Sequence, residues 1–295
     1  MTDLKTELGE SIALGAETAS PAQRRSLSGS LGAMPPWIGA VVGIVVILVV
    51  WELVAVLFFQ TPTGKPGSVP PPLDVFIKLA QDLTNSVFWG AIGATGLAGL
   101  KGYVIGNVIA FFLAFLVLLL PWFDGLATQL AVVASCIPIT AVAPIVALLS
   151  LAGSRSTSVF LAALSVIFTT VVGSLLGLRA ASATQLDVIS AYGGTRFTQL
   201  VKVRLIAALP SILAALKLGA PAAFLGAVLG EYFLVGVDSG VGILLLAAQA
   251  TDSSVKLWAL ALICAGVAGL AYFVIGRVGR IVTPWSAGES TEGGF

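Results

Sequence analysis

Few side chains in this sequence could carry out covalent chemistry. The chain has no histidine and two cysteines, Cys136 and Cys264, and each cysteine lies inside an apolar run. A thiol in such a run packs as a small hydrophobic group, and two thiols this far apart indicate neither a disulfide framework nor a thiolate metal site. Acid–base or metal-assisted catalysis needs several polar groups at one place. The sequence therefore predicts no catalytic residue, no metal and no cofactor in this chain.

Nucleotide binding by the chain itself is not expected either. The stretch GSRSTS at residues 153–158 lacks the Gly-Lys pair with which a phosphate-binding loop holds its nucleotide, and no other stretch supplies that motif. We therefore expect neither binding nor hydrolysis of ATP. A formal net charge of +1 gives no reason to expect nucleic acid as a partner.

The elements that must position any functional residue are membrane helices. Hydrophobic residues make up 58% of the chain and charged residues 10%, and the mean hydropathy is +1.04. These values are typical of a polytopic membrane protein, so the predicted fold class is all-α. The apolar runs predict about six membrane-spanning helices, at residues 37–59, 95–120, 126–151, 159–178, 212–235 and 255–278.

The order of these runs predicts the organisation of the chain. We expect a disordered tail (1–36), a first transmembrane helix (37–60), a Pro-rich linker with an interfacial helix (61–94), a core (95–284) and a C-terminal tail (285–295). The tail is not predicted to be a cleavable signal peptide, because no basic segment directly precedes a short apolar core.

Two acidic residues and two prolines lie within apolar runs. An acidic residue at membrane depth is a candidate functional group, which applies to Glu52 and Glu231. Glu52 could instead lie near the outer headgroups or form a hydrogen bond within the bundle. Glu231 could be a gate or a contact for a substrate, but a solvated cap at the interface is the stronger interpretation. Pro138 and Pro144 would bend their helix, which favours a position beside a pathway, although simple kinking is nearly as good an explanation.

A face of small residues on the second run predicts close helix packing. Gly102, Gly106 and Ala110 recur at intervals of four, and this pattern lets a second helix approach closely. The partner could be another helix of this chain or a second copy.

The longest polar interruption in the second half of the chain is at residues 186–210, LDVISAYGGTRFTQLVKVRLIAALP. Asp187 is a suitable N-cap for a short helix, Gly193 and Gly194 would end that helix, and Thr195 could cap a second one. The pattern predicts a helix, a glycine turn, a second helix and a proline that ends the element. A plain amphipathic hairpin at the membrane surface is the alternative.

This segment resembles the "EAA" loop of the permease subunits of bacterial ATP-binding-cassette (ABC) importers. The acidic position of that motif falls on Asp187, its two alanines fall on Val188 and Ile189, and its glycine and proline fall on Gly193 and Pro210. Aspartate for glutamate and the bulkier Val-Ile pair are departures from the motif. The Pro-rich entry and the amphipathic helix before the core resemble the branch that imports nitrate, sulfonates and taurine.

The resemblance implies a function and a set of partners. Similar permeases form a translocation path with a second permease copy, identical or homologous, and receive solute from an extracytoplasmic binding protein. Their loop docks on a cytoplasmic ATPase, which binds the ATP. The resemblance assigns coupling to the ATPase to these residues of the loop: Asp187, Ala191, Tyr192, Gly193, Gly194, Arg196, Phe197 and Pro210. The transported solute would be a small sulfonate-, nitrate- or taurine-like anion, or a heterocycle like a thiamine precursor.

Charge gives an independent prediction of orientation. With both termini in the cytoplasm of a bacterial plasma membrane, ten basic residues lie inside and five outside. The five outer residues are Lys65, Lys78, Lys101, Arg155 and Lys256. The same arrangement puts the 186–210 loop inside. Two other functions are left open: an integral-membrane lipid-modifying enzyme, which would need clustered polar groups, and a secondary transporter, which would need polar groups at the midplane.

Overall fold

The computed structural model describes residues 36–59, 67–119, 129, 138–234 and 236–287. Every regular element in these ranges is helical, which confirms the predicted all-α class. Contacts within the chain define two units, Met1–Trp51 and Glu52–Phe295. The first helix, α1 (Pro36–Phe58), contains the boundary between them, and all packing described below lies within the second unit.

Ten α-helices are assigned in the described ranges. After α1 they are α2 (Pro72–Leu83), α3 (Ser86–Leu119), α4 (Ile139–Leu149), α5 (Ser156–Leu178), α6 (Ala183–Ala191), α7 (Arg196–Gln199), α8 (Leu205–Glu231), α9 (Val241–Ala250) and α10 (Ser254–Val282). A π-helical turn (Leu200–Arg204) joins α7 to α8, and a 3-10 turn (Pro284–Ala287) follows α10.

Five helical segments in the described ranges are long and apolar enough to cross a membrane. They are Trp37–Phe58, Ser86–Val117, Ser156–Leu178, Arg196–Glu231 and Ser254–Val282. Eleven of the 26 residues of the predicted third crossing, 126–151, lie outside the described residues, which there comprise Gln129 and 138–151 with α4. The described helices are those of a polytopic membrane protein, and a sixth crossing stays a prediction. The predicted N-terminal tail and most of the C-terminal tail also lie outside the described residues.

Helix α5 lies at the centre of the packing, between α3 and α8. The small-residue face of α3 is turned toward it: a Cβ on Gly102 would collide with Ala162, and one on Gly106 would lie 2.6 Å from the carbonyl oxygen of Ala163. Ala110 is fully buried on the same face. The described partner of this face is thus α5 of the same chain.

Buried polar groups connect the same three helices. Asn107 donates to the backbone oxygen of Tyr103 (2.8 Å) and accepts from Thr170 on α5 (2.7 Å). Tyr103 donates to the backbone oxygen of Leu216 on α8 (3.1 Å). Because lipid offers no hydrogen-bond partners, such pairs specify which helix faces which.

Helix α8 is longer than predicted. It begins at Leu205, seven residues before the predicted start of the fifth crossing, and it contains both Pro210 and Pro221. Pro210, which the pattern placed after the second helix of the loop, thus lies inside α8. A proline removes one hydrogen bond and crowds the preceding turn, and the π turn just before α8 gives the backbone a local adjustment there.

Candidate functional site

The predicted docking element is a helical hairpin, residues 182–199, at one end of α5 and α8. Its first helix, α6, begins with a capping box: Ser182 Oγ accepts from the backbone N–H of Gln185 (3.3 Å), and the Gln185 side chain accepts from the backbone N–H of Ser182 (3.1 Å). Asp187 is not the N-cap that the sequence suggested. It lies inside α6, because Ser182 and Gln185 satisfy the free N–H groups one turn earlier.

The glycine turn of the hairpin has the geometry of a Schellman motif. Gly193 has a φ of 75°, a conformation that residues with a side chain rarely adopt. Its N–H donates to the backbone oxygen of Ser190 (2.9 Å), and that of Gly194 donates to Ile189 (2.8 Å). These bonds satisfy the last carbonyl groups of α6 and fix the direction in which the chain leaves it.

The second arm of the hairpin is joined to the first by side-chain hydrogen bonds. Thr195 caps α7 by accepting from the backbone N–H of Thr198 (3.3 Å). Gln199 reaches back across the turn and donates to the backbone oxygen of Leu186 (3.1 Å) and to Ser190 Oγ (2.8 Å). The two arms are therefore cross-linked, and the second arm continues through the π turn into α8 without a break.

The outer surface of the hairpin is apolar and unusually exposed. Tyr192 is 89% exposed and Phe197 is 70% exposed, although both are large hydrophobic residues. Val188 and Val201 extend the patch at 51% and 42%. Arg196 is exposed beside these residues. Large apolar side chains that are exposed next to polar ones are characteristic of a binding site for another protein.

A second polar centre lies at the opposite end of α8, around Glu231. The Glu231 carboxylate is fully buried. It accepts from Thr95 Oγ1 on α3 (2.8 Å) and from the backbone N–H of Gly242 on α9 (2.8 Å). Arg155, at the start of α5, forms an ion pair with it at 3.0 Å and also contacts Ser239 through its guanidinium group.

The interpretation of Glu231 as a solvated cap was wrong. At the end of α8, this carboxylate is enclosed by α3, by the start of α5 and by α9, which exclude solvent. The enclosure is close, because a Cβ at Gly240 would lie only 2.6 Å from the carboxyl group. Arg155 was predicted to lie in an outer loop, and no local pattern singled out Thr95, which is 136 residues away from Glu231. A buried carboxylate requires a counter-charge, so the sequence could have pointed to the five predicted outer cations as a group, of which Arg155 is the one that pairs with Glu231.

The remaining candidate residues do not join either centre. Glu52 is exposed on α1 and makes no hydrogen bond or ion pair within the described residues. Pro138 is the N-cap of α4, and Pro144 lies inside that helix. These three residues and Glu231 were predicted to border a pathway, and that role stays a prediction. No group of three or more His, Cys, Asp or Glu side chains in the described ranges could hold a metal ion.

Known proteins resemble this chain over most of its length. A probable ABC transporter permease protein of Haemophilus influenzae is 27% identical over 233 residues, which cover 78% of this chain and 90% of the relative. The formylaminopyrimidine transport permease protein ThiX of Halalkalibacterium halodurans is 24% identical, with 81% and 92% covered. The putative aliphatic sulfonates transport permease protein SsuC of Bacillus subtilis is 28% identical, with 81% and 84% covered.

These similarities favour a transport permease over the membrane enzyme and the secondary transporter. Residues 106–286 match the family described as binding-protein-dependent transport system inner membrane component. The match contains α5, the hairpin, α8 and the residues of the Glu231 centre other than Thr95, and it covers more than half of the chain. The chain therefore belongs to this family, the permease subunits of ABC importers.

Proposed function

We propose that the hairpin is the surface on which a separate cytoplasmic ATPase docks. The observation that carries this proposal is the combination of exposed aromatic side chains, Tyr192 and Phe197, with a cross-linked backbone beneath them. Aromatic residues contribute much of the binding energy at protein interfaces. Because the backbone beneath them is cross-linked, a displacement of these side chains by the ATPase would move the whole hairpin and would not only deform the loop.

Movement of the docked hairpin would pass directly into the membrane helices. The second arm and α8 form a continuous helical segment from Arg196 to Glu231, and α8 packs against α3, α5 and α10. ATP binding by the partner would close the ATPase pair, displace the hairpins and change the access of the path. The path would alternate between two access states, and the ATPase can shift the equilibrium between them only by binding the two states with different affinity.

The solute is proposed from the relatives. ThiX and SsuC are named for a formylaminopyrimidine and for aliphatic sulfonates, so we propose a small solute of one of these two classes: a sulfonate-, nitrate- or taurine-like anion or a thiamine-precursor-like heterocycle. An extracytoplasmic binding protein would select it. A second permease copy would complete the path, in which Glu52, Pro138, Pro144 and Glu231 are the candidate residues. The chain itself would have no ATPase site.

The docking proposal is tested by co-purification. Permease variants carrying Tyr192→Ala, Phe197→Ala or both are co-expressed with the partner ATPase of the source organism. The measurement is the amount of ATPase that is retained on the affinity-tagged permease. Loss of one interfacial aromatic anchor costs about 1–2 kcal/mol or more, so retention in the double variant should fall at least about tenfold.

The matched control is Phe76→Ala, which removes an exposed aromatic ring (45% exposed) from α2, outside the hairpin. This variant should retain the ATPase like the unmodified chain. Full retention by the double variant, with correct membrane insertion, would show that the ATPase docks elsewhere.

A further inference from the structure

Lys217 on α8 is a cation at membrane depth without an acidic partner. It is half-buried and lies far from both ends of its helix. Its ammonium group lies over the ring of Tyr272 on α10, 4.2 Å from the ring centroid. It makes no hydrogen bond or ion pair with any described residue. Glu231 is the only acidic residue in α3, α5, α8 and α10, and it is paired with Arg155 at the far end of the helix.

The position of Lys217 along the helix favours the hairpin end of the bundle. At 1.5 Å per residue, it is about 21 Å from Glu231 along α8, in a membrane whose hydrocarbon core is about 30 Å thick. Side chains of a helix lean toward its N-terminus, which for α8 is the hairpin end. The lysine stem accordingly runs past Gly276, where a Cβ would lie 3.0 Å from Lys217 Cε.

Gly276 also shows how close the ammonium group is to the membrane surface. It is six residues, or about 9 Å, from the end of α10 at Val282. Arg277 and Arg280 follow it, and Arg277 lies over the ring of Phe273 (4.7 Å to the centroid). The positive charges of α10 and Lys217 therefore lie in the hairpin-side half of the bundle, the half nearer one membrane surface.

We propose that Lys217 binds the phosphate of an anionic phospholipid where α8 packs beside Tyr272 and Gly276 of α10, in the leaflet on the hairpin side. The ammonium group donates to phosphate oxygens, the Tyr272 ring covers it on one side, and the absent side chain of Gly276 leaves room for the lysine stem. Arg277 adds a second positive charge within one turn. An intramembrane cation requires a counter-charge, and the lipid supplies the one that the described protein does not.

The surroundings of Lys217 favour a lipid over a transported anion. Three large apolar side chains along the two helices are exposed near Lys217: Leu218 is 56% exposed, Leu270 is 62% and Phe273 is 51%. Such side chains match acyl chains, whereas a small soluble oxyanion would need a set of hydrogen-bond donors in addition to the lysine. This proposal is independent of the docking surface, because it requires neither the ATPase nor solute transport.

The test measures thermal unfolding of the full-length chain in detergent during titration with phosphatidylglycerol or phosphatidylcholine, with bound lipid counted by native mass spectrometry. Phosphatidylglycerol should raise the unfolding midpoint of the unmodified chain and remain bound. Lys217→Met should bind it about tenfold more weakly, whereas Lys217→Arg should keep most of the affinity. Lys101→Met is the matched control, since it removes an exposed lysine of α3, and it should respond like the unmodified chain.

Basal stability separates lipid binding from a purely structural role. Without anionic lipid, Lys217→Met should unfold at the same temperature as the unmodified chain or higher, because an unpaired ammonium group has been removed. If it unfolds at a lower temperature and responds normally to phosphatidylglycerol, the lysine only holds α8 against α10, and the proposal is wrong. Stabilisation by inorganic phosphate or methanesulfonate that requires Lys217, with none by phosphatidylglycerol, would assign the site to a soluble oxyanion and also overturn it.

Discussion

Glu231 shows how one buried carboxylate can join four segments. Its partners are a hydroxyl group on α3, a guanidinium group at the start of α5 and a backbone N–H of α9, while the carboxylate itself ends α8. Each partner alone contributes modestly, but removing the charge leaves the others without their shared acceptor. The centre should therefore act as a single structural unit.

Replacing the charge tests this interpretation. Glu231→Gln keeps the shape of the side chain but leaves Arg155 without its counter-ion, so we expect a loss of about 2–4 kcal/mol in the free energy of unfolding. The measurement is chemical unfolding of the full-length chain in detergent. Ser239→Ala, which removes one hydroxyl contact of Arg155 at 3.0 Å, is the control and should cost less than about 1 kcal/mol. Equal stability of both variants would mean that the ion pair contributes little.

At the scale of elements, the hairpin and α8 are joined so that they could move together, as the proposed coupling to an ATPase requires. Cross-links between the two arms keep the hairpin in shape, and the π turn joins it to α8. The turn at Gly193 is the point where the two arms change direction, and its φ of 75° restricts which residues can occupy it. No other atom lies within 4 Å of a Cβ built there, so a substitution would act through backbone strain alone.

This position therefore offers a pair of variants that differ only in backbone preference. Gly193→Val places a β-branched residue in the left-handed region, at a cost of about 1–2 kcal/mol or more, whereas asparagine tolerates that region. We expect the valine variant to insert normally and to lose solute-dependent ATPase activity in the reconstituted importer. Gly193→Asn should retain most of that activity. Normal coupling in the valine variant would contradict a rigid-lever role for the turn.

At the scale of the whole molecule, the hairpin and the Glu231 centre lie at opposite ends of α8. The hairpin precedes this helix and the Glu231 centre closes it, so a membrane-spanning α8 separates them by the thickness of the bilayer. The proposed orientation puts the hairpin in the cytoplasm, with the loop at 236–240 outside. The excess of basic residues on the hairpin side agrees with that orientation.

Cysteine labelling tests the orientation directly. Arg196 and Asp238 are both exposed, and each is replaced by cysteine in a chain whose Cys136 and Cys264 have been changed to alanine. In intact cells a membrane-impermeant maleimide should label Asp238→Cys and should leave Arg196→Cys unlabelled until the cells are permeabilised. Labelling of Arg196→Cys from outside would place the hairpin on the wrong side for an ATPase.

Much of this molecule follows from local pattern. The length and apolarity of the runs determine that they cross the membrane. They must do so as helices, because lipid offers no hydrogen-bond partners to free backbone N–H and C=O groups. The glycine turn and the Thr195 cap depend on neighbours within four residues and could be predicted for that reason. The spacing of Gly102, Gly106 and Ala110 likewise indicated a packing face before its partner was known.

Only the tertiary structure decided which distant groups meet. Thr95, Arg155 and Gly242 converge on Glu231 because α3, α5 and α8 pack closely through small residues, and one sequence contains no record of that pairing. The same packing sets Lys217 against Tyr272 and buries the face of α3 against α5 rather than against a second copy. The N-cap of α6 at Ser182 was available from the sequence, because Ser182 and Gln185 form a local capping box. The passage of α8 through Pro210 was not, since it depends on the π turn that precedes the helix.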